Sequence, residues 1–322
     1  MLCPICQSQA APALTKDDCA YFECSQCSFL FYRPEEELKE GTVLSFYDRH
    51  YWEMERREAI RREQEEGFIR ALELLYISSI PVENILDFGC GLAATVNLLR
   101  ERLGANAIGV DISADFEETD YLHRCSLESM LGKYPPGFFD AIYSIEVFEH
   151  LEHPNDTVKE LGRLLKAGGK ILINTSTREF IAKHDPQQTY IDPLRRGHIS
   201  IYSLASLSRA AETIGYTASF LGDHQYTVVL APQGEPASYP NDKNLERLRR
   251  LGEWYPPLLR EYMRLLFIEK EFEEKSSWMM SEVNHLHAEK AALFGELKRQ
   301  TEAVEAWARM ALWKRIWKRL TE

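Results

Sequence analysis

The sequence predicts an α/β fold: a mostly parallel, doubly wound sheet of seven strands covered by helices, preceded by a small cysteine-rich module and followed by a helical arm. Three observations carry this. Apolar strands alternate with helical segments from residue 84 onward, which is how a parallel sheet covered on both faces is written. Two Cys-x-x-Cys pairs stand at the start of the chain. From about residue 243 the composition shifts to Glu, Lys, Arg and Leu, and apolar residues begin to recur every seven.

In chain order, Cys3-Pro-Ile-Cys6 and Cys24-Ser-Gln-Cys27 come first, separated by 17 residues. Four thiolates at this spacing fit one tetrahedral zinc ion. With four protein ligands and no open position, that zinc is structural. A module of about 35 residues buries little core, so the ion supplies folding energy. Two disulfides or free thiols are the other reading. Cys19 is left over, and Asp17 and Asp18 beside it read as loop.

The module is taken as residues 1–40, and a connector with its helix as 41–80. Residues 44–52 are unusually aromatic for a link and include Tyr47 and Tyr51. A helix over roughly 53–77, apolar at Ile60, Phe68, Leu72 and Leu75, suits an amphipathic face lying on the sheet. The main domain is taken as 81–235. Its strands are expected at 84–88, 106–111, about 122–125, 139–144 and 170–175, with a closing pair at 217–222 and 225–232. Helices fill 93–103, 155–166 and 203–214. Gly168-Gly169 reads as a helix stop feeding a strand.

The most informative stretch is Ile85-Leu-Asp-Phe-Gly-Cys-Gly-Leu-Ala93. A strand runs into a glycine turn that lets a ligand approach the main chain, then into a helix. Asp111 ends the next strand, where an acid accepts hydrogen bonds from ribose hydroxyls. The ligand is therefore a nucleoside-containing cofactor. Asp87 on the turn would repel a pyrophosphate, and Ala93 replaces the third glycine of the dinucleotide pattern. A cationic ligand, such as one with a sulfonium and an amino group, suits Asp87 better.

Four motifs in order carry a resemblance: Leu-Asp-Phe-Gly-Cys-Gly at 86–91, Gly-Val-Asp-Ile-Ser at 109–113, Phe-Asp-Ala-Ile-Tyr-Ser-Ile-Glu-Val-Phe-Glu-His-Leu at 139–151, and Leu-Lys-Ala-Gly-Gly-Lys-Ile-Leu-Ile-Asn-Thr at 165–175. The segment from about 82 to 175 resembles class I S-adenosylmethionine-dependent methyltransferases, whose sheet is Rossmann-like. The resemblance implies S-adenosylmethionine as cofactor. It implies contacts at Asp87, Gly89, Cys90 and Gly91, ribose binding at Asp111 with Ile112 beside it, and adenine flanked by Leu127 with Ser126 or Glu128 at its amino edge. Ile145 and Glu146 fall beside the transferring methyl. By the same resemblance Tyr47 or Tyr51 touches the methionine end; packing of the connector is the alternative. The cysteine module resembles ribbons found before methyltransferase domains in bacterial sugar-modifying enzymes.

Glu146, Glu149 and His150 follow the fourth strand, at the expected mouth of the site. On a helical turn, positions i, i+3 and i+4 share a face. Two carboxylates and an imidazole there can hold Mg²⁺ or Mn²⁺ with open positions for substrate oxygens. The arrangement resembles Glu-x-x-Glu-His in quinone-biosynthesis O-methyltransferases and in small-RNA 3′-end 2′-O-methyltransferases. Metal-free use, with Glu149 and His150 as catalytic or positioning groups, and a purely structural role both stay open. His153, before Pro154, reads as turn chemistry. The long connection 176–202 is expected to be functional. It carries His184, Tyr190, Arg195, Arg196 and His198. His198 is a candidate general base or extra ligand, and Arg195 and Arg196 are a candidate clamp for phosphate or carboxylate.

The arm is taken as 243–322. Val283, Lys290, Leu297, Val304 and Ala311 repeat every seven residues, as do Met279, Leu286, Leu293, Gln300 and Trp307. This a/d pattern predicts a coiled coil and a homo-oligomer; a helix folded back on the body is the alternative. The end, Trp313-Lys-Arg-Ile-Trp-Lys-Arg-Leu320, suits a membrane surface or an acidic partner.

Composition bounds the rest. The 322 residues suit two domains plus an appendage. A net charge of −12 argues against a broad nucleic-acid-binding surface. No apolar run approaches the roughly 18 to 20 residues that span a bilayer. The N-terminus reads as no signal peptide. The expected setting is cytoplasmic, with peripheral contact at the inner face of the membrane left open. The leading function is S-adenosylmethionine-dependent O-methylation of a small-molecule, sugar or glycan hydroxyl, with polysaccharide biosynthesis as an analogy. RNA 2′-O-methylation and a non-catalytic scaffold of the same fold are the alternatives.

Overall fold

The computed structural model describes residues 1–33, 68–112, 116–194, 196–221, 225–235, 241–254 and 295–296. Tyr47 and Tyr51, the first part of the helix expected over 53–77, Arg195, the heptads and the Trp-rich end lie outside the described residues. Met1–Arg247 form one compact unit and Leu248–Glu322 a second. No helix among the described residues is long and apolar enough to cross a membrane.

The N-terminal module is a hairpin of β1 (Ala10–Lys16) and β2 (Cys19–Cys24) followed by β3 (Leu30–Tyr32). Asp17 and Asp18 turn the hairpin with φ of 48° and 64°. Two-residue hairpin turns need this left-handed backbone, and Asp tolerates it.

The large sheet is built from β4 (Asn84–Phe88), β5 (Asn106–Asp111), β6 (Leu122–Arg124), β7 (Phe139–Ile145), β8 (Leu165–Asn174), β10 (Tyr216–Phe220) and β11 (Thr227–Pro232). Its order is β10-β11-β8-β7-β4-β5-β6. Strands β4 to β8 run parallel, and β11 and β10 add an antiparallel pair at one edge. This is an α/β Rossmann-like fold with a mostly parallel sheet of seven strands. Strand order reverses at β4, so a crevice opens beyond the carboxyl ends of β4 and β7.

The helices are α1 (Phe68–Ile77), α2 (Ala94–Leu103), α3 (Leu127–Lys133), α4 (Pro154–Leu164), α5 (Arg178–His184), α6 (Leu204–Glu212) and α7 (Asp242–Trp254). Helix α4 starts with Pro154 in its first turn and buries Val158, Leu161 and Leu164, one face at helical spacing. Helix α6 opens on a reciprocal Ser203–Ser206 capping box.

Two readings need correction. Helix α4 ends at Leu164, and Gly168-Gly169 lies inside β8 rather than stopping the helix. The pairing of β7 with β8 is irregular there, and a Cβ on Gly169 would stand 2.8 Å from the Asp140 carbonyl oxygen. The glycines let a bulged strand approach its neighbour. The connection 176–202 also contains structure that its polarity hid. It forms α5 and a two-residue strand, β9 (Ser200–Ile201), which pairs antiparallel with β3. A second sheet, β1-β2-β3-β9, therefore joins the N-terminal module to the main domain.

The core runs through that junction. Cys3, Ile5, Phe29 and Phe31 belong to the same buried cluster as Ile142, Leu161, Tyr202 and Leu207. Phe29 packs on Phe31 with ring centroids 5.4 Å apart, and on Tyr202 at 5.0 Å. Burying each such ring contributes about 1.5–3 kcal/mol.

Candidate active site

The glycine turn sits at the end of β4. Gly89 and Gly91 have φ of 80° and 54°, and a Cβ on Gly89 would overlap the Val147 side chain. Ala93, at the third glycine position, also takes a left-handed backbone with φ 63°. Cys90 is buried beneath the turn, and Gly109 on β5 leaves it room: a Cβ there would lie 2.8 Å from Cys90 Sγ. The Gly91 N–H donates to Asp111 Oδ2 at 3.1 Å, so the ribose candidate is tied to the turn. Asp87 is buried, and Tyr143 on β7 donates its hydroxyl to Asp87 Oδ2 at 2.7 Å. The pairing of β4 with β7 places these two residues opposite each other. Tyr143 reads in sequence as plain strand core, because only the strand order reveals its partner.

Ile112 is exposed beyond the end of β5. Leu127 is buried at the start of α3, and Ser126 caps that helix by accepting from the Ser129 N–H at 3.3 Å. Ile145, half-buried, ends β7, and Glu146 follows with φ 53°. A left-handed Glu is a strained conformation of the kind held at functional sites.

The Glu-x-x-Glu-His segment does not form one helical face. Phe148–His150 make a single 3₁₀ turn, and Glu146 stands before it. Glu149, His150 and His198 come together instead, with one ligand atom from each within 4.8 Å of the others. Glu146 stands beside Glu149 but outside this trio: Tyr226 donates its hydroxyl to Glu146 Oε1 at 2.5 Å. Tyr226 precedes β11, far along the chain, and no spacing signal points to it.

Glu149 is fully buried. Thr175 donates its hydroxyl to Glu149 Oε2 at 2.9 Å, while Oε1 has no hydrogen-bond partner among the described residues and His150 Nε2 lies 4.0 Å from it. His150 Nδ1 donates to the Gly197 carbonyl at 3.1 Å, and His198 Nδ1 to the Tyr190 carbonyl at 2.6 Å. A carbonyl only accepts, so both protons sit on Nδ1 and both lone pairs sit on Nε2. The two rings are 5.1 Å apart. Burial raises the Glu149 carboxyl and raises Glu146 well above its ordinary value, with the charge of Glu149 adding to the latter. Burial lowers His150, and burial with the neighbouring His150 lowers His198 to about 3. Both imidazoles are therefore neutral near pH 7.

Tyr190 packs on His198 with ring centroids 4.3 Å apart and planes tilted by 41°, and it hydrogen-bonds Thr175 Oγ1 at 3.1 Å. His184 ends α5 against Phe180, away from this group, and His153 precedes Pro154 at the start of α4.

At the N-terminal module, Cys3, Cys6, Cys24 and Cys27 converge with sulfurs within 4.8 Å of one another. Cys3 and Cys27 Sγ are 3.7 Å apart, and Cys6 and Cys24 Sγ 3.3 Å. No disulfide forms, and Cys19 stays outside the group. The hydrogen bond with Cys27 pulls Cys3 down to about 5, which favours a thiolate. Four converging sulfurs of this kind fit zinc.

A model of the methyltransferase domain family matches residues 40–219. The ubiquinone biosynthesis O-methyltransferase of Dechloromonas aromatica is 26% identical over 196 residues, covering 57% of this chain and 73% of that protein. Its counterpart in Albidiferax ferrireducens is 26% identical over 210 residues, covering 60% and 73%. Among solved structures, the complex between the Haloferax volcanii Trm112 methyltransferase activator and a methyltransferase matches with TM-score 0.42 and 18% identity, over 58% of this chain and 98% of that one.

Proposed function

The chain belongs to the methyltransferase domain family and is an S-adenosylmethionine-dependent class I methyltransferase; from that premise we propose that it methylates a hydroxyl of a small-molecule, sugar or glycan acceptor, with a divalent cation held by Glu149, His150 and His198. The observation that carries the cation is Glu149 Oε1, a buried carboxylate oxygen with no hydrogen-bond partner among the described residues. An uncompensated buried charge costs several kcal/mol, and a cation offsets it. Two neutral imidazoles with Nε2 lone pairs would join the carboxylate as donors and would leave positions for substrate oxygens. Two nitrogens with one carboxylate suit Mn²⁺ better than Mg²⁺, which prefers oxygen donors.

Each side of the site then has a role. S-adenosylmethionine supplies the methyl on a sulfonium. Gly89 and Gly91, both in the left-handed region, turn the main chain sharply toward it, and Gly89 leaves room for Val147. Asp111 accepts from the ribose hydroxyls. Asp87, oriented by Tyr143, faces the amino end. A bound divalent ion lowers the pKa of a coordinated hydroxyl. His150 and His198 are oriented as ligands by the Gly197 and Tyr190 carbonyls. A His198 imidazole held near 3 is too weak a base for proton abstraction at neutral pH, which favours its role as a ligand. The relatives named for O-methyl transfer support the oxygen acceptor. The net charge of −12 favours a small or neutral acceptor over RNA.

The test is transfer of labelled methyl from S-adenosylmethionine to a panel of catechols, vicinal diols and sugars, with and without Mn²⁺. Asp111→Ala is expected to lose cofactor binding. Glu149→Gln is expected to keep it while kcat falls by roughly a hundredfold or more, about 2.7 kcal/mol of transition-state stabilisation. Unchanged transfer by Glu149→Gln would remove the cation from the account.

A further inference from the structure

The cysteine module meets the candidate site through one segment, residues 198–203. Tyr21, on β2 and fully buried, donates its hydroxyl to the His198 carbonyl oxygen at 2.6 Å. The Tyr32 N–H donates to the Ile199 carbonyl at 2.8 Å, and the Ile199 N–H donates to the Glu149 carbonyl at 2.9 Å. A main-chain relay thus runs from the module, across Ile199, to Glu149. Leu30 pairs with Ile201 and Phe31 with Ser200. On the other side, Ser200 Oγ donates to the Leu151 carbonyl at 2.6 Å, and Ser203 Oγ donates to the Cys27 carbonyl at 2.5 Å.

Apolar packing follows the same line. Tyr21 and Leu30 from the module form a small core with Ile181, Ile191 and Ile201, and Tyr190 packs against it. Among the described residues, 185–194 and 196–199 have neither helix nor strand of their own, so ordering them costs backbone entropy that regular hydrogen bonding does not offset. The module supplies contacts that help fix them, beside those that Asp185, His150 and Thr175 make to the same segment. A docking module joined by a linker would not need its hydroxyl on the backbone of His198.

We propose that the four-cysteine module is a positioning element of the active site: Tyr21 and β3 hold His198 and Tyr190 in place over Glu149, so the structural metal governs catalysis without touching substrate. This rests on the reading of Glu149, His150 and His198 as cation ligands.

The test is Tyr21→Phe in the full-length, zinc-loaded protein, which removes one hydroxyl and keeps the ring. Zinc content and the dissociation constant for S-adenosylmethionine are expected to stay at wild-type values. Mn²⁺ affinity and kcat are expected to fall roughly tenfold or more, the usual effect of losing an outer partner of a metal-ligating histidine. Leu30→Val, which trims the same junction, is expected to act in the same direction with a smaller change. His198→Asn separates the two ideas. If His198→Asn loses Mn²⁺ while Tyr21→Phe and Leu30→Val bind it and turn over as wild type, the positioning role is wrong and the ligand reading stands. If His198→Asn also keeps wild-type Mn²⁺ affinity and kcat, the ligand reading fails and this proposal falls with it.

Discussion

Glu149 concentrates the electrostatics of the site: a buried carboxylate with one oxygen satisfied by Thr175 and the other 4.0 Å from His150 Nε2. The sign of its effect on stability can be worked out. Burial raises Glu149, so above its ordinary value of 4.5 the unfolded chain releases this proton before the native one does. The unfolded state then binds fewer protons, and stability falls as pH rises from there. His198 acts at the other end. Its ordinary value is 6.5 and its native value about 3, so between these the unfolded chain binds the extra proton and stability falls as pH drops. A cation on the cluster keeps the carboxylate ionised and the imidazole neutral. Mn²⁺ is therefore expected to raise the thermal midpoint near pH 7.5, with the gain fading toward pH 5 as protons compete for the ligands. Scanning fluorimetry across that range checks this, and Glu149→Gln should abolish the gain. On the cofactor side, Gly89→Ala drives a methyl into Val147 at a left-handed φ. Its cofactor affinity, measured by calorimetry, is expected to fall at least tenfold, about 1.4 kcal/mol.

At the scale of elements, what could be read from sequence and what could not divide on physical lines. Strands β4, β5 and β7 are buried apolar runs ending in turn residues, and their ends fall where the sequence places them. Gly89, Gly91 and Asp111 share a local motif, so they were legible before any topology. Residues 198–203 were not. His198 was singled out by type and position alone. The two-residue strand beside it exists only because β3 is present to pair with it. The i, i+3, i+4 argument for Glu146 failed for a related reason. The Glu146 N–H bonds to the Asn174 carbonyl on the neighbouring strand, so the chain is still leaving the sheet at that point and the turn begins later. Tyr143 and Tyr226 reach their carboxylates through strand order, which periodicity does not encode. The element-scale prediction concerns Phe29, fully buried between Phe31 and Tyr202. Phe29→Ala is expected to cost about 3–5 kcal/mol, read as a lowered urea midpoint.

At the scale of the molecule, the cysteine module shares one core with the sheet within Met1–Arg247. Chelation of a zinc ion held by Cys3, Cys6, Cys24 and Cys27, the metal proposed for the module, is accordingly expected to lower the unfolding temperature of the whole unit rather than to release a separate early transition. Calorimetric scans before and after a strong chelator check this; a small transition for the module alone with the main one unmoved would contradict it. Because the module also borders the segment that carries His198, metal analysis must distinguish the two sites. The most direct measurement is a Mn²⁺ titration of the zinc-loaded protein, followed by electron paramagnetic resonance, with S-adenosylhomocysteine present. One Mn²⁺ is expected to bind per chain in the wild type and none in Glu149→Gln, with zinc unchanged in both. Absence of Mn²⁺ binding to the folded, zinc-loaded wild type, or equal binding by Glu149→Gln, would contradict it.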